Sequence, residues 1–227
     1  MTIGMRRTAE KSSWLLWLAV LICIGCVLQH QHALGANDTG SFRDLKYRGV
    51  VPQTTDFSCG AAAVACLLQM FYGIPATESD ILQWAETQMF NRGQEPGLMH
   101  GLTAYDLKTA SEAYGLPMAG YELTHTQLED YFQRGGLPLI AHVTQPQLHY
   151  LVVIGMTTDH VLLSDPAWGR CIAPLHELAD VRAMSGVFLV PLPNAEVALQ
   201  ARRSQESALQ WMCARLSQLS NLREAML

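Results

Sequence analysis

The sequence predicts an α+β domain. Three observations carry that prediction: an apolar, helix-like stretch opening at Cys59, a series of amphipathic segments with helix-start signals behind it, and a later run of β-branched segments bounded by Pro, Gly and Asp. Helical patterns come first and strand patterns second, which is the order of an α+β arrangement with an antiparallel sheet rather than of alternating parallel units.

In chain order, the N-terminus carries Arg6, Arg7 and Lys11 ahead of an unbroken apolar run of 15 residues, Trp14 to Leu28. A membrane-spanning helix needs about 20 such residues, so residues 1–35 are expected to be a secretory signal peptide and the location periplasmic. Ala33-Leu34-Gly35 offers a small-x-small cleavage site before Ala36, whereas Cys23 stands where a lipoprotein signal carries an aliphatic residue. An uncleaved anchor in the inner membrane, facing the periplasm, is the alternative, and it is the only membrane contact expected. Residues 36–46 read as a polar linker. The apolar stretch "CGAAAVACLLQMFYG" then reads as a buried helix, followed by a helix over Thr77 to Phe90 with Ser79 as its N-cap and Ile81, Leu82, Ala85 and Met89 at helical spacing. A glycine-rich connection (Gly93 to Gly101) leads to Thr103, which can cap a helix that Gly115 stops. "PMAGYEL" reads as a strand, and Thr124 to Arg134 as a short helix closed by Gly135 and Gly136. Four strands follow: "PLIAHVT", "HYLVVIGM", "HVLLSD" and "GVFLVPL". Residues 193–227 form an amphipathic helix with Leu209, Met212, Leu216 and Leu219 spaced by three and four. Docking on its own domain and binding a partner are equally compatible with that stripe.

Composition narrows the function. Removal of residues 1–35 leaves 12 basic against 19 acidic residues. The clustered Lys and Arg that neutralise phosphates are missing, so nucleic acid is not an expected partner. Beyond the signal segment the cysteines are Cys59, Cys66, Cys171 and Cys213, with no CxxC pair. That spacing argues against a zinc site and a dense disulfide framework, and neither metal nor cofactor is expected, although a single Cys171 to Cys213 bridge stays open.

The chemistry centres on Cys59. A thiol at a helix N-terminus sees the positive end of the helix dipole and unpaired N–H groups, which favour the thiolate. Gly60 beside it would let a substrate approach, and Cys59 N–H can form half of an oxyanion hole. Cys66, about 10.5 Å further along the helix axis, sits among Ala65, Leu67 and Leu68 and reads as core. A thiolate nucleophile needs a base held by a third group. "HYLVVIGMTTDHVLLSDP" reads as a hairpin; if Met156 pairs with Asp159, His149 lies opposite position 166, within one residue, and Asp165 lies beside it. His142 is the weaker candidate base because no carboxylate follows it in a pairable strand, and Asp165 in its Asp-Pro setting could simply be a turn former. Gln53, six residues before Cys59, can supply the second oxyanion donor.

Gln53, Cys59-Gly60, the alanine-rich helix, "HYLVVIG" and "DPAWG" together resemble the C39 family of papain-like cysteine peptidases, over about Tyr47 to Leu192 (a domain of residues 47–192). The resemblance implies a papain-like fold with the cysteine helix packed on a twisted antiparallel sheet. It also implies Cys59 as nucleophile, His149 as base and later acid, Asp165 as orienting group and Gln53 as oxyanion donor. Members fused to bacteriocin-exporting transporters cleave leaders after paired glycines; here the expected signal peptide and the lack of a P-loop point to the stand-alone, exported branch attached to functional-amyloid secretion systems. "DFSCG" also departs from the acidic residue usual before the cysteine. The expected function is an exported cysteine endopeptidase acting on a secreted polypeptide or a component of amyloid export machinery. A catalytically silent export chaperone that binds an unfolded client is the alternative, and acyl transfer on the same residues a third possibility.

Overall fold

The computed structural model describes residues 41–93 and 101–225. The expected signal peptide, the first five residues of the expected linker and most of the glycine-rich connection lie outside the described residues. Helix α1 (Phe42–Lys46) stands where the end of the linker was expected. It is followed by α2 (Cys59–Met70), α3 (Glu78–Asn91), α4 (Ala104–Ala113), β1 (Met118–Glu122), α5 (His125–Gln133), β2 (Leu139–Val143), β3 (His149–Met156), β4 (His160–Asp165), β5 (Gly169–Pro174), a π-helical turn (Glu177–Val181), β6 (Met184–Pro191) and α6 (Ala195–Ala225).

Short polar signals start three of the helices. Thr77, Thr103 and Thr124 each accept the N–H three residues on, and Asp80, Asp106 and Gln127 bond back to the cap N–H, closing a capping box each time. The cap of α3 is therefore Thr77 and not Ser79: the T-x-x-D spacing satisfies two donors at once, which Ser79 could not. Helix α2 has no such device, because nearly every side chain from Ala61 to Leu68 is fully buried and apolar contact on all sides holds it.

The six strands form one antiparallel sheet in the order β1-β6-β2-β3-β4-β5. Alternate residues feed two cores. Ile140, Val152, Ile154, Leu162 and Leu189 pack under α2, α3, α4 and α6, while Leu139, Leu151, Val153, Leu163 and Phe188 meet Leu128 of α5 and Leu178 of the π-helical turn on the opposite face. Strand β3 sits near the centre and reads apolar on both faces for that reason.

Helix α6 packs on its own domain. Ala201, Ala208 and Met212 are buried against the α2 core, and Gln205 Nε2 donates to the Gly136 and Ile154 carbonyls at 2.9 and 2.8 Å. Leu209 and Leu216 flank that contact, but Leu219 and Leu222 point outward at 61% exposure each. The apolar stripe is thus used for its first part only. Met212→Ala is expected to cost about 2–5 kcal/mol, the range for emptying a buried methionine site, read from urea unfolding; Leu219→Ala is expected to leave the midpoint unchanged. Among the described residues no helix is long and apolar enough to cross a membrane.

Candidate active site

The first turn of α2 is left open by its own N-cap. Ser58 makes no side-chain cap; its hydroxyl donates to Thr55 O at 2.9 Å and accepts Thr55 N–H at 3.0 Å, which folds the 55–58 loop back on itself. The helix N-terminus therefore faces the neighbouring cleft without a side chain across it. Gly60 does not serve to admit a substrate there: a Cβ would stand about 3.0 Å from both Leu107 methyls and 3.3 Å from the Tyr150 ring. The glycine lets α4 and β3 approach α2 closely.

His149 is the first residue of β3 and Asp165 the last of β4, so both lie at the same end of the sheet. The pairing between them differs from the simple hairpin. Met156 pairs with Val161 rather than Asp159, and a bulge at Ile154 shifts the register before Val153 meets Leu163 and Val152 meets Ser164. Continued at that register, Asp165 lies opposite Leu151 and His149 is its diagonal neighbour, a separation that an imidazole and a carboxylate can span. His149 Nε2 and Asp165 Oδ1 are 2.8 Å apart. With Nε2 engaged, Nδ1 is the ring nitrogen left for the Cys59 thiol, with which His149 also shares a hydrogen bond. Exposure falls along the row, from 8% at Cys59 through 7% at His149 to 0% at Asp165.

The electrostatics of the row favour an ion pair. Burial opposes the thiolate most strongly, but the His149 hydrogen bond and charge and the Tyr150 and Gly60 N–H groups outweigh it, and the Cys59 pKa lies below its ordinary value. Burial likewise opposes the imidazolium, yet Asp165 and Cys59 together push His149 up to about 9. Asp165, despite complete burial, is held below the usual carboxylate range by His149, Arg182 and Ala167 N–H. Cys66 behaves oppositely: it is fully buried against Ser164 Oγ at 3.3 Å, and burial pushes its thiol up. The four cysteines among the described residues are free, so the Cys171 to Cys213 bridge does not form.

Beside the thiol lies a cleft of about 160 Å³, bordered by Phe57, Leu102, His142, Leu148 and Tyr150. A cysteine on a central helix facing a histidine and a carboxylate at the end of an antiparallel sheet is a papain-like arrangement, and the sequence model of the Peptidase C39 family matches residues 48–195. The chain belongs to the peptidase C39 family. It is 31% identical over 140 residues to a protein named "Probable functional amyloid protease FapD" from Pseudomonas aeruginosa, a match covering 61% of this chain and 59% of the relative. A protein of the same name from Pseudomonas fluorescens is 28% identical over 57% of this chain and 55% of its own. The chain thus spans less than two thirds of either relative. The Lactococcus lactis "Lactococcin-G-processing and transport ATP-binding protein LagD" is 26% identical over 65% of this chain and 19% of its own. Among solved structures, the peptidase domain of Streptococcus ComA shares the fold with a TM-score of 0.53, at 21% identity over 64% of this chain and 98% of that domain.

In this C39 domain the remaining sequence candidates fall as follows. Gln53 lies in the loop before α2, where its N–H donates to Pro166 O at 3.0 Å, next to Asp165. Its Nε2 spends one N–H on Thr55 O at 2.9 Å, while Oε1 is buried without a partner. The carboxamide has a second N–H, and the Thr55 bond fixes its roll. Among the described residues His142 has no carboxylate partner: its Nδ1 meets Ser185 Oγ at 2.9 Å, its ring packs 4.7 Å from that of Tyr150, and burial lowers its pKa. Asp165 does form the turn its Asp-Pro sequence suggests, accepting Ala167 N–H at 2.9 Å and Trp168 N–H at 3.2 Å with the same Oδ1 that meets His149. Turn former and imidazole partner are one role. Its other oxygen meets a residue that sequence reasoning missed, Arg182, whose Nη1 donates to Oδ2 at 2.7 Å. No spacing rule connects positions 165 and 182; only the fold brings them together.

Proposed function

We propose that this protein is an exported cysteine endopeptidase in which Cys59 is the nucleophile, His149 the acid and base, Asp165 the orienting group and Gln53 an oxyanion donor. One observation carries the reading: the 2.8 Å contact between His149 Nε2 and Asp165 Oδ1, which leaves the other ring nitrogen for a thiol whose pKa is lowered. The thiolate attacks the scissile carbonyl carbon, and the C=O electron pair moves onto oxygen, where Cys59 N–H and the second N–H of Gln53 receive it. His149 gives its proton to the amine as the C–N bond breaks. Water then attacks the thioester with His149 as base, releasing the acid and restoring the thiol.

The substrate is a polypeptide in extended form, since the cleft beside Cys59 is narrow and rimmed by the exposed Phe57 and Leu148. The two relatives named functional amyloid proteases support a secreted amyloid polypeptide, or a component of its export apparatus, as the client, and a periplasmic site of action behind the N-terminal signal segment. The test is incubation of the purified protein with co-expressed secreted amyloid components, with products read by mass spectrometry. Wild type is expected to yield discrete fragments and Cys59→Ala none, with an unchanged circular dichroism spectrum. Fragments formed equally by Cys59→Ala would overturn the mechanism. Client binding without cleavage by wild type would favour an export chaperone, and a mass gain other than water would indicate acyl transfer.

A further inference from the structure

Arg182 is the one strong cation in contact with the His149 and Asp165 pair among the described residues, and nothing in the proposed chemistry uses it. Its side chain is 16% exposed and spans between two carboxylates, donating from Nη1 to Asp165 Oδ2 at 2.7 Å and from Nε toward Glu177 Oε1 at 3.5 Å. Asp165 divides its bonds unevenly: Oδ1 takes His149, Ala167 N–H and Trp168 N–H, while Oδ2 takes Arg182. The backbone of the same residue reaches the other side of the pair. Arg182 O accepts Thr144 N–H and Gln145 N–H at 3.2 and 3.0 Å, and Ala183 O accepts Thr144 N–H and Oγ1–H at 3.0 and 2.9 Å. Thr144 and Gln145 open the loop that delivers His149 at the start of β3. Ala183 holds φ at 49°, a left-handed conformation uncommon for a residue with a Cβ, at the point where both carbonyls turn toward that loop.

We infer that Arg182 is a positioning residue that holds the Asp165 carboxylate through Oδ2 and, through its carbonyl, the loop leading into His149. The inference rests on the Cys59, His149 and Asp165 reading above. Without the guanidinium, Oδ2 is a buried oxygen with no donor, and a carboxyl in that setting takes up a proton. A neutral Asp165 no longer balances the imidazolium. His149 then loses its proton more readily and Cys59 loses its counter-charge. Among the described residues, the other titratable groups facing this set are Glu177 and the Cys171 thiol beside Arg182, His142 beside His149, and the Tyr150 phenol beside Cys59.

The experiment is the pH dependence of Cys59 alkylation by iodoacetamide, mapped by peptide mass spectrometry, in the full chain. Wild type is compared with Arg182→Met, Arg182→Lys, Asp165→Asn and the double variant Asp165→Asn/Arg182→Met. Arg182→Met is expected to move the acidic limb of the profile up by about one pH unit, a tenfold loss of thiolate on that limb, and Arg182→Lys by less. With asparagine at 165 there is no carboxylate to hold, so the double variant is expected to titrate like Asp165→Asn alone. A purely structural role would lower the unfolding midpoint and leave the limb in place. A folded Arg182→Met with the wild-type limb overturns the inference, and so does a double variant shifted well beyond Asp165→Asn. The second comparison stands even if Arg182→Met does not fold, because the double variant removes both buried charges together. A wild-type Cys59 that titrates like a free thiol would defeat the underlying triad reading before Arg182 enters; a depressed wild-type value that survives Arg182→Met defeats the inference alone.

Discussion

His149→Ala is expected to lower Cys59 alkylation at pH 7 by about tenfold, and peptide cleavage by about 10²–10⁴-fold, because proton transfer is lost as well. Burial is the largest influence on the thiol and acts against ionisation, while His149 supplies both a hydrogen bond and a charge in its favour. With the imidazole gone, only the Tyr150 and Gly60 N–H groups remain on the favourable side. The thiol then returns to its ordinary range or above it, where about 1% is ionised at neutral pH. The alkylation loss is smaller than the drop in thiolate fraction because a more basic thiolate is intrinsically the better nucleophile, recovering about 0.4–0.5 log units per pKa unit. Cleavage recovers nothing in this way, since the proton that His149 hands to the leaving amine is lost with it. In wild type the imidazolium persists up to about 9. Cleavage is therefore expected to be flat from the depressed Cys59 value upward and to fall through about pH 9 as His149 deprotonates. A His149→Ala profile that overlays the wild type would show that the lowered thiol pKa has another source.

Much of this arrangement was legible in the chain and some of it could not be. The T-x-x-D and T-x-x-Q boxes announce where α4 and α5 begin, and the apolar density of "AAAVACLL" announces a fully enclosed helix, since both depend on residues close in sequence. Strands β2, β3, β4 and β6 show as β-branched runs. Strand β5 did not, because "GRCIAP" is a short edge strand carrying an arginine and a proline, held by the tight Asp165 to Gly169 turn instead of by its own apolar pattern. Gly169 sits at φ +86° in that turn, and a Cβ there would run into the Lys46 backbone of α1, a contact from far along the chain. The hairpin reading placed His149 and Asp165 together, but the turn is two residues longer than assumed and the bulge at Ile154 takes back only one, so Asp165 stands opposite Leu151 and diagonal to His149. A bulge leaves no mark in a run of valines and isoleucines. The Arg182 contact is the limiting case, set by a π-helical turn and a left-handed alanine that have no periodicity to read.

Asp165→Ala is expected to destabilise the fold by about 3–5 kcal/mol, the cost of breaking a buried ion pair from one side, and more than Cys59→Ala, which removes a small group at the edge of a cleft. The aspartate is completely buried and satisfies four donors: His149, Arg182 and the N–H groups of Ala167 and Trp168. Alanine leaves the Arg182 guanidinium nearly buried with the 3.5 Å contact to Glu177 and the neighbouring Cys171 thiol in place of its carboxylate partner. It also frees the turn that carries Pro166 and hence the Gln53 loop bonded to it. The pH dependence has a definite sign. A carboxylate whose folded pKa is depressed stabilises above its unfolded value of 3.8, and that contribution is lost as pH falls through the folded value. A histidine whose folded pKa is raised to about 9 stabilises fully below 6.5 and loses that contribution as pH rises through about 9. The stability difference between wild type and Asp165→Ala is therefore expected to be largest between about pH 4 and 6.5 and to shrink on both sides. Urea unfolding at pH 3, 5.5 and 10, chosen to bracket the ordinary values of about 3.8 for aspartate and 6.5 for histidine, measures it. Asp165→Asn, which keeps the shape and several of the hydrogen bonds, is expected to lose less stability while losing cleavage as fully, because its neutral amide cannot balance the imidazolium. Equal stability of wild type and Asp165→Ala at pH 5.5 would mean that the charge row is not held together by its own carboxylate, and that Arg182 and Glu177 suffice to hold each other.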